Sequence, residues 1–303
     1  MKILVLFYLL IFNNLFAQKI TVLEQGSNLA VPYATVTFYK DGNVVFGNYT
    51  NYQGEIDADI EFDSVEISCL GFEKTKVSKN NIKNNTVFLT KQNIELEEVI
   101  INHKKIDLTH IGENKTKKSI INGVGLAKGN EIVQFIENYL GKVTKLNSLY
   151  FVTGKVKNKA AFRVHIYKKI KINTSIADEE IQTLNTIYYL EKDSDGRVEI
   201  NLTQYDIDFP LEGLYIGLEG LGTIDANNQF VDTKGQSLKQ NFTENVVNIQ
   251  YQKSKIARTY VRHLIVNGSW FNKFERDKTE GKKHGYGDLK VIWEPYFILK
   301  VTK

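Results

Sequence analysis

Residues 34–46 read Ala34-Thr35-Val36-Thr37-Phe38-Tyr39-Lys40-Asp41-Gly42-Asn43-Val44-Val45-Phe46. Two runs of β-branched and aromatic residues flank an Asp-Gly pair. Glycine supplies the positive φ that a two-residue hairpin loop needs, so the stretch predicts two antiparallel strands joined at Asp41-Gly42. Working outward, Ile20-Thr21-Val22, Ile56-Asp57-Ala58-Asp59-Ile60 and Val65-Glu66-Ile67-Ser68 keep the period of two, punctuated by Gly26 and Gln53-Gly54. Short strands with turn residues at about 8–12-residue spacing predict an antiparallel sandwich.

The rest of the chain repeats the pattern. Candidate strands are Ser148 to Thr153, Ala161 to Tyr167, Thr186 to Glu191, Arg197 to Asn201, Leu214 to Glu219, Val246 to Gln252, Arg258 to Val266, Leu289 to Trp293 and Phe297 to Val301. Glu131 to Leu140 fits a helix face or a strand, and its neighbours favour the strand. Asp277 to Gly285 reads as a polar hairpin loop. Residues 102–118 are polar and charged and read as a linker. No long alternation of helix and strand suggests a nucleotide-binding α/β domain. The expected architecture is all-β, two antiparallel β-sandwich domains at 18–101 and 119–303, the second jelly-roll-like.

Residues 1–17 carry one charge, Lys2, then an apolar run from Ile3 to Phe12 and a small residue, Ala17. This is the composition of a cleaved signal peptide, and the run is shorter than the roughly 20 residues of a membrane span. The chain is therefore expected to be exported, in the periplasm, on the outer membrane or outside the cell, with no transmembrane span after cleavage. Of 303 residues 42% are hydrophobic, enough for a sizeable core. One cysteine, Cys69, excludes a disulfide scaffold and reads as a core residue. The net charge of +4 is small for this length. The lysine clusters at 115–118 and 168–171 read as solvated loops or strand ends, so no nucleic-acid partner is expected.

Four motifs in order carry a resemblance: Val31-Pro32-Tyr33-Ala34-Thr35-Val36, Asn48-Tyr49-Thr50-Asn51-Tyr52-Gln53-Gly54-Glu55-Ile56, Ser68-Cys69-Leu70-Gly71-Phe72 and Leu96-Glu97-Glu98-Val99-Ile100-Ile101. Residues 19–101 resemble the carboxypeptidase regulatory-like domain of Gram-negative cell-envelope proteins, including the N-terminal extension of TonB-dependent receptors. Asn51 and Ile56 depart mildly from the family pattern. The resemblance implies a seven-stranded, transthyretin-like sandwich with no chemistry of its own. Residues 119–303 resemble the C-terminal region of exported proteins that pair with this domain; the stretches 161–167, 198–207 and 209–219 carry it, and no activity follows. The residues after the linker are too few for a receptor's barrel of about 22 strands.

Chemical motifs are sparse. His110 and Glu113 have the HxxE spacing of two zinc ligands, but no HExxH is present, and a match this short arises by chance. His165 and His263 lie in strand patterns and read as structural histidines. Asp193-Ser194-Asp195-Gly196 begins like a calcium loop, yet Gln204 stands where the bidentate glutamate belongs, so it reads as a hairpin turn. Gly123 to Gly129 matches no phosphate-binding loop and reads as a flexible one. No cofactor or metal is expected. The remaining leads are aromatic: Trp270, Tyr286, Trp293 and Tyr296 could stack on a glycan, or else fill the core. The sequence thus predicts a non-enzymatic envelope protein that binds a glycan or protein partner. Two alternatives are an accessory component of a TonB-linked uptake system and a hydrolase with an unrecognised site.

Overall fold

The computed structural model describes residues 18–92, 108–112, 120–121, 125–169, 176–180, 184, 186–231, 245–264, 269–283 and 291–302. The signal-like residues 1–17, the motif Leu96 to Ile101, the lysines at 115–118, Glu113 and Tyr286 lie outside them. The chain is all-β with one described helix, and it divides into two compact units after Gln92.

The first unit holds seven strands: β1 (Lys19–Glu24), β2 (Thr35–Lys40), β3 (Asn43–Tyr49), β4 (Glu55–Asp57), β5 (Ser64–Ser68), β6 (Thr75–Ser78) and β7 (Thr86–Leu89). They form a three-stranded sheet in the order β4-β1-β7 and a four-stranded sheet in the order β3-β2-β5-β6. Pairing is antiparallel except between β1 and β7, which run parallel. The Asp41-Gly42 loop joins β2 to β3, with φ of 51° and 77°. Ile20, Val22, Val36, Phe38, Val65, Ile67 and Leu89 fill the space between the sheets. Phe38 sits at its centre, edge-on to Phe62 at 5.1 Å.

The family-like residues have local work to do. Thr50 is fully buried; its hydroxyl donates to the Val31 carbonyl (2.8 Å) and accepts from the Ala34 N–H (2.9 Å). The Asn51 side chain accepts from the N–H groups of Gln53 and Glu55, closing a turn that any short oxygen-bearing side chain can close. Gly54 has φ +74°, and a Cβ there would lie 2.6 Å from the Val22 carbonyl oxygen. Cys69 is half-buried against the same core.

The second unit begins with β8 (Leu108–Ile111), β9 (Ile120–Ile121), β10 (Gly125–Ala127), β11 (Asn130–Ile136), β12 (Thr144–Thr153) and β13 (Ala160–Lys169). It continues with β14 (Ile176–Glu180), β15 (Ile187–Leu190), β16 (Gly196–Asn201), β17 (Asp208–Phe209), β18 (Leu214–Thr223), β19 (Asn245–Asn248) and β20 (Tyr251–Ser254). Last come β21 (Thr259–His263), β22 (Phe271–Asn272), α1 (Lys273–Lys283), β23 (Ile292–Pro295) and β24 (Ile298–Thr302). A seven-stranded sheet runs β14-β13-β18-β11-β21-β22, with β15 also on β13. A five-stranded sheet runs β16-β12-β24-β8, with β17 also on β12. The two bury one continuous core in which Phe151 of β12 meets Phe162 of β13 edge-on at 5.7 Å. Short sheets β23-β20-β9 and β10-β19 complete the unit.

Four readings of the sequence need correction. The linker expected at 102–118 contains β8, which pairs with β24 and buries Ile111; a four-residue strand is too short to show a period among polar neighbours. The loop expected at 277–285 is helical to Lys283. Its start signal is Asn272, whose side chain accepts the Glu275 N–H and so caps α1. The flexible loop expected at 123–129 includes β10 and the buried Lys128; Gly129 donates to the Gly220 carbonyl at 2.8 Å. Finally, Asp193 to Gly196 is no hairpin, because β15 and β16 pair in different sheets.

Candidate functional site

Strand alternation on β13 sends Phe162, Val164 and Ile166 into the apolar core and Arg163, His165 and Tyr167 to the opposite face. Register then extends a charged row over four strands: Arg163 faces Glu219 on β18, Glu219 faces Glu131 on β11, and Glu131 faces Arg262 on β21. An alternating strand ordinarily turns its polar side to water. Here that side is buried: Glu131 is 0%, Glu219 1%, Arg163 6% and His165 6% exposed.

The row is knitted by short hydrogen bonds. Arg163 donates to Glu219 at 3.0 Å, and the His165 ring nitrogen Nε2 lies 2.8 Å from the same carboxylate oxygen. Arg262 Nε donates to Glu131 Oε2 at 2.7 Å, and the Tyr167 hydroxyl donates to Oε1 at 2.7 Å. Arg262 closes the triangle by donating to the Tyr167 oxygen at 2.9 Å. Burial works against the charge on Arg262, but the adjacent Glu131 carboxylate outweighs it and holds the guanidinium protonated. Gly217 makes the arrangement possible. A Cβ there would meet Val133 at 2.5 Å and Glu131 Oε1 at 3.0 Å, so only glycine leaves the carboxylate room to lie over the sheet. Two carboxylates balance two guanidiniums. Unbalanced, each buried ion would cost several kcal/mol.

The expected aromatic site does not assemble as one surface. Trp270 is half-buried and joins the polar row, with its ring edge-on to Tyr167 at 5.9 Å and the Arg262 guanidinium 4.3 Å above it. Trp293 on β23 packs instead against the main core. Tyr296 is half-buried in the turn before β24, its N–H on the Gln250 carbonyl. His263 is bonded to Asn130, and burial, then the Arg276 charge, lowers its pKa. His110 is exposed on β8, 6.0 Å from the Tyr150 ring. Among the described residues no group of three or more His, Cys, Asp or Glu is placed to hold a metal ion.

A second region was invisible in the sequence. The Asn138 amide nitrogen donates to three carbonyls, Lys142 (2.9 Å), Pro210 (3.0 Å) and Phe209 (3.2 Å). This one buried side chain ties the β11–β12 loop to the β17–β18 loop. The tied loops carry Tyr139, 65% exposed, with Val143 and Leu211, each 53% exposed. The Tyr139 hydroxyl donates to the His110 carbonyl at 3.0 Å, which fixes its ring.

No family model and no curated protein matches the chain. Among solved structures, it is similar to the cysteine protease and lectin-like domains of Cwp84, a surface layer associated protein of Clostridium difficile, at 9% identity and a TM-score of 0.37. That match covers 95% of this chain and 63% of the other, so the chain spans less than two thirds of the protein it matches. A second structure, of the clostridial cysteine protease Cwp84 after propeptide cleavage, gives 9% identity, a TM-score of 0.35, and coverage of 95% and 70%. No helix among the described residues is long and apolar enough to cross a membrane.

Proposed function

We propose that the chain is an exported, non-enzymatic docking protein of a Gram-negative cell envelope, and that it takes a protein partner on the loop end tied by Asn138. One observation carries the reading: three exposed apolar side chains, Tyr139, Val143 and Leu211, are presented on loops held by the three Asn138 hydrogen bonds. Exposed apolar groups on a fixed scaffold bind with little loss of conformational entropy. The signal-like residues 1–17 and the resemblance of residues 19–101 to an envelope domain support the compartment. A glycan partner is the weaker reading, because Trp270 and Trp293 pack into different clusters of the interior. The charged row supports a structural role: its carboxylates are occupied by arginine, histidine and tyrosine.

The test is a photo-crosslinking amino acid placed at Tyr139, with Lys157 as an exposed control, in cells expressing the whole chain. The reading expects a discrete crosslinked protein from position 139 alone, lost when Asn138→Ala frees the loops. Equal crosslinking at both positions would contradict it. A receptor barrel in the crosslink would specify the role as an accessory of TonB-linked uptake.

A further inference from the structure

The five-stranded sheet of the second unit ends on two unlike edges. At the β8 end, the Tyr139 hydroxyl takes the His110 carbonyl at 3.0 Å. At the other end β16 pairs only with β12. In an antiparallel ladder, opposite residues alternate between pairs that exchange N–H···O=C bonds and pairs that do not. The Leu202 N–H donates to the Asn147 carbonyl at 2.8 Å, on the register that sets Ile200 against Leu149 and Val198 against Phe151. Ile200 and Val198 therefore turn their backbone groups toward β12, and Arg197 and Glu199 turn theirs to the free edge. Among the described residues, no N–H or C=O of Arg197 or Glu199 has an intramolecular partner.

The same two residues carry charge. Both are exposed on the sheet face away from the core, on either side of Val198, which packs against that core. The Arg197 guanidinium lies 3.9 Å from the centre of the Tyr150 ring, and the Tyr150 hydroxyl donates to Glu199 Oε1 at 2.6 Å. That hydrogen bond, above all, holds the Glu199 carboxyl below its usual range, so it is ionised at neutral pH. Open edges are ordinarily blunted against pairing. In the first unit the edge strand β3 is treated so: its register on β2 shifts between Phe38 and Tyr39, and the Asn48 side chain takes the Tyr49 N–H at 2.9 Å. On β16 the ladder is regular from Gly196 to Asn201.

We propose that β16 is a self-recognition edge: two copies of the chain pair β16 to β16, antiparallel, about a two-fold axis beside Val198, and so join their five-stranded sheets into one. In this register Arg197 of each copy stands opposite Glu199 of the other. Both residues of each pair have their backbone groups turned outward, as a hydrogen-bonded pair requires. Their side chains share one face, so each guanidinium meets a carboxylate across the seam. Charge also selects the register. The neighbouring registers that keep the backbone bonds set Arg197 opposite Arg197 or Glu199 opposite Glu199, and like charges directly opposite repel. A second copy therefore satisfies the backbone and the charges together. The inference uses none of the residues of the Tyr139 end and stands without that reading.

The experiment is sedimentation velocity of the full chain over a wide range of concentration, with charge-reversed variants beside it. The unsubstituted chain should pass from monomer to dimer as concentration rises. Arg197→Glu and, separately, Glu199→Arg each make both cross-copy pairs repulsive and should weaken dimerisation about tenfold or more. Both positions are exposed, so the fold tolerates the changes. Mixed in equal amounts, the two single variants regain both attractive pairs and should associate where neither does alone. The doubly reversed chain, Arg197→Glu with Glu199→Arg, should dimerise again for the same reason. Restored association in either the mixture or the double variant supports the pairing, because a misfolded chain would not recover. A chain that stays monomeric at every concentration overturns the proposal. Single variants that dimerise as the unsubstituted chain does overturn it too, and so does a failure of both the mixture and the double variant to associate.

Discussion

The two units solve the same problem with different interiors. Among the described residues, the first buries no Asp, Glu, Lys, Arg or His, and its core is aliphatic and aromatic. The second buries Lys128, Glu131, Arg163, His165, Glu219, Lys273 and Glu294. A sandwich therefore needs no buried charge to close, and the charged row of the second unit is a separate device. Paired ions hold register through direction and mutual dependence, whereas apolar packing holds it through volume.

The sharpest way to break the comparison is to remove one ion. Glu131→Ala leaves Arg262 and Tyr167 without their acceptor in a buried layer and should cost about 3–5 kcal/mol. Urea unfolding followed by tryptophan fluorescence reads this cleanly, because Trp270 and Trp293 are the chain's two tryptophans and both lie in the second unit. Replacing the triangle together (Glu131→Leu, Tyr167→Phe, Arg262→Met) should recover most of the loss, since apolar groups of similar volume carry no desolvation cost. In the first unit the vulnerable point is backbone geometry. Gly54→Ala forces a side chain to φ +74° against the Val22 carbonyl and should cost about 1–3 kcal/mol, read as faster hydrogen exchange over β1 and β4. A smaller effect, about 1 kcal/mol, is expected for Asn272→Ala, which uncaps α1; helical circular dichroism and urea unfolding check it.

The gentlest test is pH. Burial raises the folded carboxyl of Glu294 above its unfolded value. Between those two values the native state holds a proton that the unfolded chain has lost. Its contribution is therefore complete below the ordinary glutamate range and declines as pH rises through the folded value. Tm measured against pH should show that slope in the unsubstituted chain and not in Glu294→Gln.

The same contrast explains what the sequence could disclose. In the first unit alternation, the Asp41-Gly42 loop and the Thr50 to Gly54 turn all point to one sandwich, and its described residues form two β-sheets around one core. In the second unit the strands were legible because their alternation survives. The meaning of the polar side was not: Arg163, His165 and Tyr167 alternate with apolar residues as a solvent face would, and only register with Glu219, Glu131 and Arg262 reveals a buried layer. The Asn138 tie was hidden for another reason. It joins carbonyls at Lys142, Phe209 and Pro210, and carbonyls leave no mark in a sequence. The α1 cap at Asn272 and Glu275 has a sequence signature, but the charged run that follows masks it by resembling a polar loop.

Hydroxyl-radical footprinting of the intact chain tests the central claim, that the second unit buries its polar sheet face and opens its Asn138-tied loops. Tyr139, 65% exposed, and Tyr167, 1% exposed, report the two regions under one condition. The account predicts extensive oxidation of Tyr139 and almost none of Tyr167 at native pH. Comparable oxidation of both, or a labelled Tyr167 beside a protected Tyr139, would contradict it.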